Sequence, residues 1–111
     1  MRITSSMWVS AYCRTCEVNG AYAMVSRKGM DQAGAIFVLV NLLDGLANLY
    51  IPAPQSAYDT DNRFERLFEL RFSQTNITDV EKYIKSECRF DSDLWVVEIE
   101  DKKGQIHFEI V

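Results

Sequence analysis

The sequence predicts an α+β domain, a mainly antiparallel sheet of about five to six strands with two helices on one face, in the order α-β-β-β-β-α-β-β. Three observations lead there. Two stretches, from about Ser6 to Asn19 and from Thr78 to Cys88, repeat apolar residues at helical spacing. Between and after them lie short runs that alternate or are unbroken in apolar residues. Asn19-Gly20, Asp44-Gly45 and Lys102-Lys103-Gly104 punctuate those runs as turns.

The first helix starts at a cap on Ser5 or Ser6, buries Trp8, Ala11, Tyr12 and Cys16, and stops at Asn19-Gly20. Ala21 to Gly29 reads as a strand that turns polar at Arg27 and Lys28. The run AIFVLV (Ala35 to Val40) is apolar at every position, so both of its faces must be covered, which makes it the central strand. Asp44-Gly45 folds Leu46 to Ile51 back antiparallel as a hairpin, and Pro52 and Pro54 end that pairing. Residues 59–63 (DTDNR) form a polar loop. RFERLFELRF (63–72) fits helix or strand; strand is preferred, with Phe68, Leu70 and Phe72 sharing a face. A capping box of Thr78 and Glu81 opens the second helix, whose stripe is Val80, Tyr83, Ile84 and Cys88. Leu94 to Asp101 is a strand with Trp95, Val97 and Ile99 inward. Ile106 to Ile110 is a last strand with His107 outward.

The 111 residues suit a single domain, 1–111, and no repeat or linker divides them. Twelve Lys and Arg against sixteen Asp and Glu give a net charge of -4, which argues against a nucleic-acid clamp and against attachment to anionic lipid. The start, MRITSSMWVSAYC, lacks the apolar core of a secretory signal. The longest apolar run has six residues, about a third of a membrane span. Three cysteines, an odd number without framework spacing, fit a reducing interior, so a cytoplasmic location is expected. The acidic surplus is local. Residues 1–50 carry four bases and three acids (+1), and residues 51–111 carry eight and thirteen (-5).

Candidate chemistry is sparse. Cys13 and Cys16 have CxxC spacing but lie inside a helix, not at the helix N-terminus that would stabilise a thiolate. A zinc site would have to be completed by Cys88 and His107. Asp91, Asp93, Glu98, Glu100 and Asp101 crowd five carboxylates into eleven residues. Alternation puts Glu98 and Glu100 on what reads as a solvated strand face, while Asp91 and Asp93 suit a turn. The loop Tyr50 to Asp59, stiffened by two prolines, could present Gln55 and Ser56 to a partner. No catalytic residue, metal site or cofactor is predicted, since no phosphate loop, nucleophile elbow or metalloprotease motif is present.

Four segments taken together, MWVSAYCRTCEVNGAYAMVSRKG, AGAIFV, LYIPAPQSAYD and RFDSDLWVVEIED, resemble a family of short alphaproteobacterial proteins known only as a domain of unknown function. The resemblance spans nearly the whole chain and implies no activity, substrate or cofactor. Its matching segments contain the polar positions Arg27, Gln55, Ser56, Arg89, Asp91 and Asp93. Its pattern is not built on cysteine, which takes weight from Cys13 and Cys16.

Three functions are weighed on this basis. The leading one is a non-catalytic protein-interaction module or homo-oligomer, because two Trp, five Tyr and six Phe are much to hide in a small domain that carries no catalytic constellation. The second is a small enzyme or ligand-binding protein with a polar site from Arg27, Gln55, Asp91 and Asp93, floored by Trp8 or Trp95. A thiol or zinc site from Cys13, Cys16, Cys88 and His107 is the third. The expected binding residues are Arg27, Gln55, Ser56, Asp91 and Asp93, and the expected partner is an unknown protein or a second copy, with neither nucleic acid nor membrane.

Overall fold

Along the chain run α1 (Ser5–Val18), β1 (Tyr22–Arg27), β2 (Ile36–Asn41), β3 (Leu46–Pro52), β4 (Phe68–Asn76), α2 (Ile77–Phe90) and β5 (Trp95–Glu100). They are seen in a computed structural model that describes residues 3–54, 66–108 and 110. The strands form one sheet in the order β1-β5-β2-β3-β4. Every neighbouring pair is antiparallel except β2 and β5, which run parallel. The α+β class and the central place of the AIFVLV strand are as the sequence predicts.

The placement of the helices is corrected: they cover opposite faces. Val9, Tyr12 and Cys16 of α1 pack with Ile36, Val38, Val40, Trp95, Val97 and Ile99. Val80 and Ile84 of α2 pack with Phe37, Leu39, Leu49, Leu94 and Val96 on the other side. The unbroken apolar run of β2 requires this arrangement. Its even and odd side chains point to opposite faces, and a single helix layer would leave one set in water.

Both helix caps differ from expectation. Thr4 caps α1 by accepting from the Met7 N–H at 3.1 Å, because the Ser5 hydroxyl is buried and donates to the Gly34 carbonyl at 2.6 Å. Asn76 caps α2 by accepting from the Thr78 N–H at 2.9 Å, ahead of the expected Thr78 in the chain. Asn19 and Gly20, the latter at φ 82°, stop α1 as the sequence indicates, and Gly45, at φ 87°, turns the β2–β3 hairpin.

β4 is a strand, as preferred, yet Phe68 and Phe72 do not share a face. Tyr50 pairs with Leu70 and Leu49 with Phe72, so Arg71 is an extra residue and the strand flips there. Phe68 therefore joins Trp8 and Phe108 on the α1 side. Phe72 meets Tyr83 on the α2 side, and Leu70 is left exposed. Residues 63–65, and the loop 59–63, lie outside the described residues. Among the described residues of the segment Ile106 to Ile110 the expected sixth strand is not formed. Gly104 and His107 take positive φ of 72° and 60°, which bends the segment, and Ile110 makes an isolated bridge to Phe68. The expected orientation holds for Ile106 and Phe108, which pack inward, and for His107, which is exposed, but not for Ile110, expected inward and 48% exposed.

Candidate functional site

One end of the sheet ties together three segments distant in sequence: the start of α1, the β1–β2 loop and the α2–β5 connection (91–94). Arg27, closing β1, donates from Nε to the Leu94 carbonyl at 3.1 Å and from Nη2 to the Ser92 carbonyl at 3.3 Å. Asp91 closes α2, and its carboxylate accepts from the Asp93 N–H at 3.0 Å in an Asx turn. The Asp93 carbonyl accepts from the Met30 N–H at 3.0 Å, and the Trp95 indole donates to the Met30 carbonyl at 2.7 Å. Gly29 and Gly34 press so closely on the Asp93 carbonyl and the Trp95 ring that neither position has room for a β-carbon.

Of the expected binding residues, Arg27, Asp91 and Asp93 thus come together, while Gln55 and Ser56 lie outside the described residues. Two of the side chains have internal work. The Arg27 guanidinium serves main-chain carbonyls, the Asp91 carboxylate serves a main-chain N–H, and Asp93 contributes through its backbone. This gives the polar positions 27, 91 and 93 a structural account that spacing alone does not supply.

Beside this knot, a cleft of about 510 Å³ opens between α2 and the β1–β5 margin. Leu39, Ile84, Cys88 and Val96 form its apolar base. Glu81 and Glu98 stand toward the start of α2; Lys85, Arg89 and Arg27 stand toward its end. The solvated face expected for Glu98 and Glu100 is corrected here, because both are half-buried and Glu98 lines the cleft. Burial pushes the Glu98 carboxyl above the usual range, Glu81 and Glu100 add to that, and a hydrogen bond with Asn41 opposes it. Tyr22 and Met24 lie directly across from Glu100 and Glu98 on β5, so they share the cleft face. They are 57% and 41% exposed, because α2 packs on β3, β4 and Val96 of β5 and leaves these two β1 side chains uncovered.

Spacing singled out neither Tyr22 nor Met24, and it marked Glu81 only as part of a helix cap. The usable signal was alternation. Ala21 and Ala23 pack under α1, which turns Tyr22 and Met24 the other way.

The cysteines are divided by the sheet. Cys13 and Cys16 belong to the α1 side and Cys88 to the α2 side, and all three thiols are free. Burial raises the Cys13 and Cys16 thiols above their ordinary value. His107 sits near Trp8 and Tyr12, also on the α1 side. Among the described residues, no three His, Cys, Asp or Glu side chains are placed to share a metal ion. No described helix is long and apolar enough to cross a membrane.

A family model described as a protein of unknown function, DUF1491, matches residues 3–109. A crystal structure of a DUF1491 family protein from Caulobacter crescentus is similar, with a TM-score of 0.80 at 33% identity, covering 100% of this chain and 99% of that one. A solution structure of a protein from A. tumefaciens is similar, with a TM-score of 0.77 at 48% identity, covering 90% of this chain and 86% of the other. No curated protein matches.

Proposed function

The chain belongs to the DUF1491 family, and on that premise we propose that it is a non-catalytic protein-interaction module of the cytoplasm. One observation carries the reading: the sheet margin at β1, where Tyr22 and Met24 are exposed beside an open cleft and no helix among the described residues covers them. A sheet about five strands wide needs more than one helix per face, since a helix roughly 10 Å across covers about two strands spaced ~4.8 Å apart. α2 covers the β3–β4 side, and the partner takes the rest. Rigidly seated polar groups at 27, 91 and 93 support this reading over an enzyme, because their hydrogen-bonding groups hold the fold together. The acidic balance disfavours nucleic acid and anionic membrane as the partner, and three free thiols suit a reducing compartment.

The test is a photo-crosslinking amino acid placed at Met24 in living cells, with Ser73 on β4 as the control position. A discrete protein adduct at Met24 and none at Ser73 is expected. Equal or absent labelling at both positions would remove the basis for the reading.

A further inference from the structure

We propose that the partner at this margin is a second copy of the chain, with β1 paired antiparallel to β1 across a two-fold axis. The inference rests on the interaction reading above and names its partner. Its first ground is that the two margins of the sheet are built differently. At the β4 margin two register shifts, Gln74 at φ 45°, the charged Glu69 and Arg71, and a bridge from Ile110 to Phe68 interrupt any further pairing. Such features blunt an edge against other strands. β1 has a register shift too, between Val25 and Arg27 at its end, but from Tyr22 to Val25 its register with β5 is regular, that stretch holds no proline and no charge, and Tyr22, Met24 and Val25 are all exposed.

The second ground, charge, selects the occupant. At the start of β1, Tyr22 faces Glu100, and Asp101 follows it; at the other end stand Arg27 and Lys28. A two-fold axis through the middle of β1 lays the start of one strand against the end of the other. Acid then meets base at both ends, and the uncharged Tyr22–Val25 stretch meets its own image. A self-complementary patch is what an isologous dimer requires. Glu100 sits one strand inside the margin, about 10 Å from a partner strand, which is within the combined reach of a glutamate and a lysine side chain. The ion pair of Lys28 with Asp31, at 3.9 Å between two well-exposed side chains, is too weak to withhold that lysine.

Sedimentation velocity on the purified full chain over a concentration series tests this. The parent protein is expected to dimerise. Lys28→Glu and Glu100→Lys are each expected to weaken dimerisation about tenfold, since each puts like charges across the axis. Mixing the two variants is expected to restore it, because every crossing pair is then opposite in sign. Circular dichroism checks that both variants fold, and amide protection in β1 of the parent should rise with concentration. A parent monomeric at every concentration overturns the proposal, as does a dimer indifferent to both substitutions or one that mixing fails to restore. If Met24 in cells captures a protein of another mass while the purified chain stays monomeric, the second copy is refuted and the interaction reading stands. If Met24 captures nothing, the interaction reading itself falls.

Discussion

Arg27 and Leu94, 67 residues apart, are joined by a 3.1 Å hydrogen bond from the guanidinium Nε to the carbonyl oxygen, and the same side chain reaches Ser92. The bond locks the end of a marginal strand to the start of an inner one. Arg27→Ala is expected to cost about 2 kcal/mol, because a charged donor is lost and the carbonyl of Leu94, in a part-buried bond, goes unpaired. Arg27→Lys should recover only part of this, since a lysine lacks the forked geometry. Urea denaturation of both variants checks the order, and equal midpoints for parent and Arg27→Ala would show that the bond contributes nothing.

Gly34→Ala tests the tight approach behind that bond. The added carbon would meet the Asp93 carbonyl and the Trp95 ring, with Trp95 Cδ1 only 2.9 Å away. A loss of about 1–3 kcal/mol is expected from overpacking. Gly20→Ala is the comparison, because Gly20 has φ 82° and open space around it, so only backbone strain of about 1–2 kcal/mol applies. Thermal melts should place Gly34→Ala at or below Gly20→Ala.

Glu98 gives the protein a pH signature. Its folded carboxyl binds a proton more tightly than the unfolded one, so its contribution to stability is present below the ordinary glutamate range and is lost as pH rises through that range to the folded value. Glu98→Gln abolishes the titration. Its melting temperature is expected to exceed that of the parent by a few degrees at most near neutral pH, with the difference vanishing by about pH 4. A variant less stable than the parent at neutral pH would refute the sign.

The thiols should be quiet. Cys16 is fully buried and its ionisation is disfavoured, so a thiol reagent at neutral pH is expected to modify it only as the protein unfolds. Chelator should leave the melting temperature unchanged, because the sheet separates Cys13 and Cys16 from Cys88. Rapid labelling of Cys16 in the native protein, or a lower melting point in chelator, would count against this placement.

What could be read in advance was local or period-based. The Asp44-Gly45 hairpin and the doubly covered β2 follow from spacing and turn chemistry, and each is present; the α1 stripe holds at Tyr12 and Cys16 but not at Ala11, which is exposed while Val9 is buried. What could not be read was non-local. The flip at Arg71 falls on residues that carry no turn signature, and Gln74 takes a positive φ that no glycine announces. Glu98 looked solvated because period two says which face a side chain takes, but not what is packed above it. Arg27, Asp91 and Asp93 were singled out as polar residues at odd positions, and they do gather, yet their partners are backbone atoms, which a sequence does not display.

The order β1-β5-β2 also sets a timetable for the newly made chain. β1 and β2 are successive in sequence but do not touch as strands, because β5, the last to be synthesised, lies between them. Until residue 100 has left the ribosome, β1 has no pairing partner and β2 has one open side. Neither apolar core is complete before β5 enters, because it supplies Trp95, Val97 and Ile99 to one and, with the adjoining Leu94, Val96 to the other. Such long-range pairing is intrinsically slow, and chains cut short before this strand hold an apolar, half-paired sheet prone to aggregate.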